Sequence, residues 1–228
     1  MKKWISSVLI IIGIILIGAQ FLPDILIKNR AKKSIEIVDE ITVEQIEENN
    51  KKDGVYDYSS IEEVDPGNVI TETYQFEDEN VIGQLIIEDL GIDLPILKGV
   101  TDANMLAGAA TMMPDIKMGE GNYPLASHYR KDPNLLFGNL LNAEEGMTVR
   151  ITDKVNVYEY EIYETAIVPE TALYMIEEGQ AEERGKPIIS LMTCYYTSKN
   201  GKRFFALGEL VDSYPYRMKN TEERVGIE

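Results

Sequence analysis

Between residues 81 and 211 the apolar residues fall into short runs, each closed by a turn signal, and this punctuation constrains the fold more than any other feature. Residues 81–87 and 92–97 flank Asp89-Leu90-Gly91 and read as a strand pair joined by a turn. Residues 147–151 and 155–168 read as a long hairpin turning at Thr152-Asp153-Lys154. In its second arm Tyr158, Tyr160 and Ile162 alternate with Glu159 and Glu161, the period of two expected of a half-buried strand. An Ile-rich run over 188–194 follows Gly185-Lys186-Pro187, residues 123–127 lead into His128, and 203–211 form the last strand. Helical signals are sparse. Thr101 can cap a short helix through Leu106 that Gly108 ends, and Pro133 sits early in a second over 133–141. The expected fold is mostly β, with a closed or nearly closed barrel favoured because closure leaves few exposed strand edges.

The chain ahead of this domain has a different character. Residues 4–22 are almost wholly apolar, and nineteen residues at about 1.5 Å each give roughly 28 Å of helix, close to the hydrocarbon thickness of a bilayer. A transmembrane anchor is expected there; a cleaved signal peptide is the competitor, but no small-residue cleavage site follows the run. Lys2 and Lys3 precede the span and Lys28, Arg30, Lys32 and Lys33 follow it, so charge alone leaves its orientation open. Residues 23–76 read as an acidic linker with a possible short amphipathic helix over 35–50, residues 77–215 as the domain, and 216–228 as a flexible tail. The 228-residue chain carries 39 acidic against 22 basic side chains, a net charge of −17, which excludes a basic nucleic-acid footprint.

One cysteine and one histidine occur in the whole chain, and each follows a short apolar run. A single thiol cannot staple a fold, so Cys194 is idle, paired between molecules, or reactive. It lies where a rigid strand gives way to a polar loop, a common position for functional side chains. A cysteine attacks as its thiolate and needs a positive or hydrogen-bonding neighbourhood, which the imidazole of His128 can supply while also protonating a leaving amine. Arg203 opens the strand after the Cys194 loop; if the two strands pair antiparallel, its planar donors can face the same groove and offset charge on a tetrahedral oxyanion. Each residue also has an ordinary structural role open to it: a buried inert thiol, a hydrogen-bonded histidine, a solvated edge arginine.

The segment Ser190-Leu191-Met192-Thr193-Cys194, with Arg203 nine residues on, resembles the cysteine signature of sortases, the membrane-anchored cysteine transpeptidases of Gram-positive bacteria. The family's usual form begins with Thr where this chain has Ser190. Pro124-Leu125-Ala126-Ser127-His128 resembles the family's histidine segment, and Gly83 with Leu94-Pro95-Ile96-Leu97-Lys98-Gly99-Val100-Thr101 resembles its first two strands. The likeness spans about residues 80–212 in the family's order.

The resemblance implies a closed eight-stranded β-barrel with short helices behind an N-terminal transmembrane helix, in type II orientation with the catalytic domain outside the cell. It implies Cys194 as nucleophile, His128 as general acid and then base, and Arg203 as substrate clamp and oxyanion stabiliser. Ala126 and Met192 would line the groove for the sorting signal, with Thr193 contacting the scissile region. The implied substrates are surface proteins bearing a Leu-Pro-x-Thr-Gly signal, cut between Thr and Gly, and the acceptor is an amine of a peptidoglycan precursor. The class A type fits best, since no second apolar span follows the domain and Asp65-Pro66-Gly67 lacks the aromatic plug of a pilin-type lid. The loop over 169–186 is expected to shape the signal preference. No cofactor is expected: residues 113–120 hold two acids and a lysine, too few oxygen ligands for calcium. Two other readings stand beside this one, a pilin-polymerising class C-like sortase and a membrane-tethered binding module with an inert thiol.

Overall fold

Alternating side chains give each short apolar run two distinct faces, and the strands bury both by closing on one another and covering part of the outside. The computed structural model describes residues 22–58, 61 and 78–217, with scattered positions between 4 and 18. Among the described residues the strands are β1 (Val81–Ile87), β2 (Ile92–Leu97), β3 (Ala109–Thr111), β4 (Asn122–Ala126), β5 (Thr148–Thr152), β6 (Asn156–Pro169), β7 (Ile188–Cys194) and β8 (Lys202–Pro215). They close into a barrel in the order β1-β2-β3-β4-β7-β8-β6-β5. Neighbours are antiparallel except β2–β3 and β4–β7, which run parallel. The expected closed β-barrel is present.

Period two sorts the residues of each strand. Leu85, Leu94, Leu125, Ile151, Tyr160, Leu191 and Phe204, from seven of the eight strands, belong to one cluster that fills the barrel. A second cluster lies outside β3, β4, β7 and β8, built from Ala110, Ala126, Met192, Phe205 and Leu207 and covered by Met175 and Ile176 from the β6–β7 connection. The β1–β2 turn closes at Gly91, whose φ of +62° suits a residue without a Cβ. Gly108, between a short helix and β3, lies so close to the Pro95 carbonyl that a Cβ would collide with backbone.

The helices are α1 (Leu22–Glu40), α2 (Val43–Lys51), α3 (Asp102–Ala107) and α4 (Gly179–Arg184). Thr101 caps α3, accepting from the Asn104 amide at 3.1 Å, and Gly108 ends it, as expected from the sequence. Where one short helix was expected over 35–50, the chain forms two, because the capping box of Thr42 and Gln45 starts α2 afresh. Val38, Ile41 and Ile46 pack with Val81, Leu97 and Ala107, and Asn49 donates to the Val81 carbonyl at 2.9 Å, so much of the expected linker is docked on the barrel. Lys154 donates to the Ile41 and Asp39 carbonyls at 2.8 and 3.2 Å, a cation on the last carbonyls of α1.

The helix expected over 133–141 does not form. Asp132 accepts from the Asn134 amide at 2.9 Å, a local turn that competes with helix, and Leu136 takes a φ of +51°. Leu135, Leu136, Phe137 and Leu140 are all buried, whereas three successive residues of a helix packed by one face would turn at least one side chain outward; only a 3₁₀ turn at Leu140–Asn142 remains. The connection over 169–186 holds a 3₁₀ turn, Leu173–Ile176, and α4. β8 runs to Pro215, beyond the expected end, and all but two residues of the expected tail lie outside the described residues. The expected membrane span over 4–22 is described only at scattered positions and otherwise lies outside the described residues, as do Asp65 and Pro66. Among the described residues no helix is long and apolar enough to cross a membrane.

Candidate active site

Three adjacent strands deliver the chemistry-bearing residues to one end of the barrel. β4 and β7 run parallel with Ala126 opposite Met192. His128 lies two residues past Ala126 and Cys194 two past Met192, so both emerge at the same end. The pairing continues past β4, with the Ser127 amide donating to the Met192 carbonyl at 3.3 Å. β8 runs antiparallel to β7 and sets Arg203 directly opposite Cys194. Ala126, Met192 and Phe205 belong to the outer cluster, and the strand period puts Cys194 and Arg203 on that same face. All three candidates are nearly sealed: His128 is 3% exposed, Cys194 5% and Arg203 8%.

Buried hydroxyls lock this register. The Thr193 hydroxyl donates to the Ser127 carbonyl at 2.9 Å, and the Ser127 hydroxyl to the Met105 carbonyl at 3.3 Å, tying β7 to β4 and β4 to α3. Ser190 donates to Asn122 Oδ1 at 2.8 Å, while Asn122 Nδ2 donates to the Glu177 and Met175 carbonyls at 3.0 and 3.3 Å, holding the β6–β7 connection against the sheet. The residue after His128 meets a residue two past Cys194, because the Tyr129 and Tyr196 rings stack edge-to-face at 5.8 Å.

Thr193 differs from the sequence expectation. It shares parity with Leu191, is fully buried, and spends its hydroxyl on Ser127, so its side chain lies on the barrel side and not the groove side. Met192 lines a groove with Ile61, Met112, Leu173, Ile176 and Phe205, and Arg203 and Glu170 also border it. Ala126 packs in the cluster beneath.

Three partners of the candidate residues were not anticipated from sequence. His128 Nε2 lies 2.9 Å from Asp102 Oδ1, at the first position of α3. An acid there reads from sequence as a helix-dipole residue, and nothing in the motif separates the two uses. Arg203 Nη2 donates to the Ile61 carbonyl at 3.0 Å and pairs with Glu170 at 3.1 Å. Ile61 follows α2 in sequence, and shortly before it the Asp57 amide donates to the Val100 carbonyl and the Tyr58 hydroxyl to the Met112 carbonyl. A backbone carbonyl carries no side-chain signature, so sequence could not reveal this contact.

Residues 85–211 match the sortase domain family, more than half of the chain. The chain is 33% identical over 210 residues to sortase A of Listeria monocytogenes, covering 92% of this chain and 91% of that one. It belongs to the sortase family. Sortase A of Bacillus anthracis is 28% identical over 91% of this chain and 93% of its own. The crystal structure of the Listeria sortase A superimposes with a TM-score of 0.57 at 35% identity, covering 61% of this chain and 93% of that one. Sortase C-3 of Streptococcus pneumoniae reaches 0.59 at 22% identity over 82% and 92%, a likeness of fold alone. In this sortase, then, the signature residues Cys194 and Arg203 are strand partners, and His128 adjoins them through a parallel pairing.

Proposed function

We propose that this sortase is a class A cysteine transpeptidase that attaches surface proteins to the cell wall, with Cys194, His128 and Arg203 as its catalytic residues. The observation that carries the reading is the register: one parallel and one antiparallel pairing bring the chain's single thiol and single imidazole to the same end, opposite a guanidinium. Arg203 already holds a peptide carbonyl, that of Ile61, while the Ile61 side chain packs with Met192 and Phe205. Arg203 can thus hold a backbone carbonyl beside an apolar groove, which supports binding of a sorting signal of Leu-Pro-x-Thr-Gly type.

In the first half-reaction the Cys194 thiolate attacks the Thr carbonyl of the signal, forming a C–S bond, and Arg203 offsets the charge on the tetrahedral oxygen. The C–N bond to Gly breaks as His128 gives its proton to the departing amine. In the second, an amine of a cell-wall precursor attacks the thioester and passes a proton to His128. The C–S bond breaks and the thiolate returns. The cycle balances on protein groups alone and calls for no cofactor.

Relatives named sortase A across nine-tenths of the chain support class A over pilin polymerisation. The apolar run over 4–22 supports a membrane anchor, with the barrel on the outer surface where its substrates arrive. The test is a fluorogenic Leu-Pro-x-Thr-Gly peptide with the full chain in detergent, with and without an amine acceptor. Cleavage that requires Cys194 and yields amine-ligated product is expected; a folded protein that leaves the peptide intact overturns the reading.

A further inference from the structure

We propose that Asp102 is the positioning residue for His128, fixing which imidazole nitrogen carries the travelling proton; this rests on the catalytic reading of His128 given above. The ring is 3% exposed and its Nε2 lies 2.9 Å from Asp102 Oδ1. An ionised carboxylate only accepts hydrogen bonds, so the neutral ring beside it must keep its hydrogen on Nε2. Nδ1 is then the nitrogen that takes a proton from an incoming amine and gives one to a departing amine. Without the carboxylate the ring is free to adopt the other tautomer, whose basic nitrogen points at α3 and can serve neither step.

The carboxylate is itself held in place. Thr101 caps α3, and Asn104 Nδ2 donates to the Gly99 and Lys98 carbonyls at 2.8 and 3.0 Å, fastening the start of the helix to the end of β2. The Met105 carbonyl takes the hydroxyl of Ser127, the residue before His128. Helix and imidazole thus move as one unit, and the Asp102–His128 distance is a property of the scaffold. The competing role for Asp102 is a charge at the first turn of a helix, which would affect folding and leave the ring untouched.

The chain has one histidine, so a sample labelled with ring-¹⁵N histidine gives a single imidazole that needs no assignment. In the full chain, at a pH where the ring is neutral, the Nε2-protonated form is expected to dominate, and Asp102→Asn to shift the population toward Nδ1–H. Peptide cleavage by Asp102→Asn should lose at least about tenfold in kcat with KM held within about twofold, and Asp102→Glu should recover part of it. An unchanged nitrogen spectrum in Asp102→Asn, or a loss of rate matched by a lower unfolding temperature and restored on cooling, overturns the proposal. A wild type that leaves the peptide intact overturns the catalytic reading of His128, while the nitrogen spectrum still decides whether Asp102 sets the tautomer.

Discussion

The inner and outer faces of β4, β7 and β8 are made of the same three strands and do opposite work. Inside are Tyr123, Leu125, Ile189, Leu191, Phe204 and Ala206, apolar side chains that fill the barrel. Outside, one position along in each strand, Met192, Arg203 and Phe205 line the groove, Ala126 packs beneath it, and Cys194 lies opposite Arg203 as the proposed nucleophile. The difference teaches that the site needs no scaffold of its own. A strand pinned by its buried face holds the opposite face with the same rigidity, and a register slip of one residue would destroy both.

The contrast can be broken first at the outer face. Cys194→Ala should abolish thioester formation, read as the disappearance of acyl-enzyme in the mass spectrum, with the unfolding curve little changed. Arg203→Ala should lower kcat/KM by roughly 10²–10³, the loss typical of an oxyanion donor, with partial recovery in Arg203→Lys. At the inner face the expectation reverses. Leu191→Ala should lower stability by about 2–5 kcal/mol in denaturant unfolding while the folded fraction keeps its activity. Ile61→Ala sharpens the comparison: the groove face is occupied by the chain itself, and weakening that contact raises the competent fraction, lowering KM by a small factor, roughly two- to tenfold.

The smallest effect concerns a second charge on the outer face of β8. Glu209 accepts from Lys186 at 2.7 Å and from Arg184, and these partners hold its carboxyl below the ordinary value of 4.5. A depressed carboxylate contributes stability above its unfolded-state value and loses it as pH falls through the folded one. The stability difference between wild type and Glu209→Gln should therefore shrink as pH drops below 4.5, with activity unaffected. Arg203 and Glu209 share a strand and a face; only the first borders the groove.

Much of this was legible from periodicity. The alternation of Tyr158, Tyr160 and Ile162, the turn at Gly91 and the cap at Thr101 each have a local cause, and the corresponding elements formed. β3 was not legible, since Ala109–Thr111 is too short to show a period and is a strand only because Ile96 and Ala126 flank it. The turns over 133–141 were hidden by their apolar residues, which suit a helix until all must be buried at once. The signature residues announced themselves, whereas Asp102 and the Ile61 carbonyl did not, because their roles exist only in three dimensions. The inward turn of Thr193 was available from parity alone once Met192 was given to the groove.

The parallel pairing of β4 with β7 has a consequence for how the enzyme comes into being. Parallel strands cannot be joined by a tight turn, and the β4–β7 link passes through β5, β6 and α4 before it returns. The contact between Ser127 and Thr193 spans 66 residues, the kind of non-local pairing that slows folding, and it is expected to form after the local hairpins. The guanidinium reaches the thiol through the local β7–β8 pairing, whereas the imidazole reaches it only when β7 docks on β4. On the proposed mechanism, a chain still emerging during synthesis therefore carries a dormant cysteine, whose nucleophilic power awaits the β4–β7 pairing.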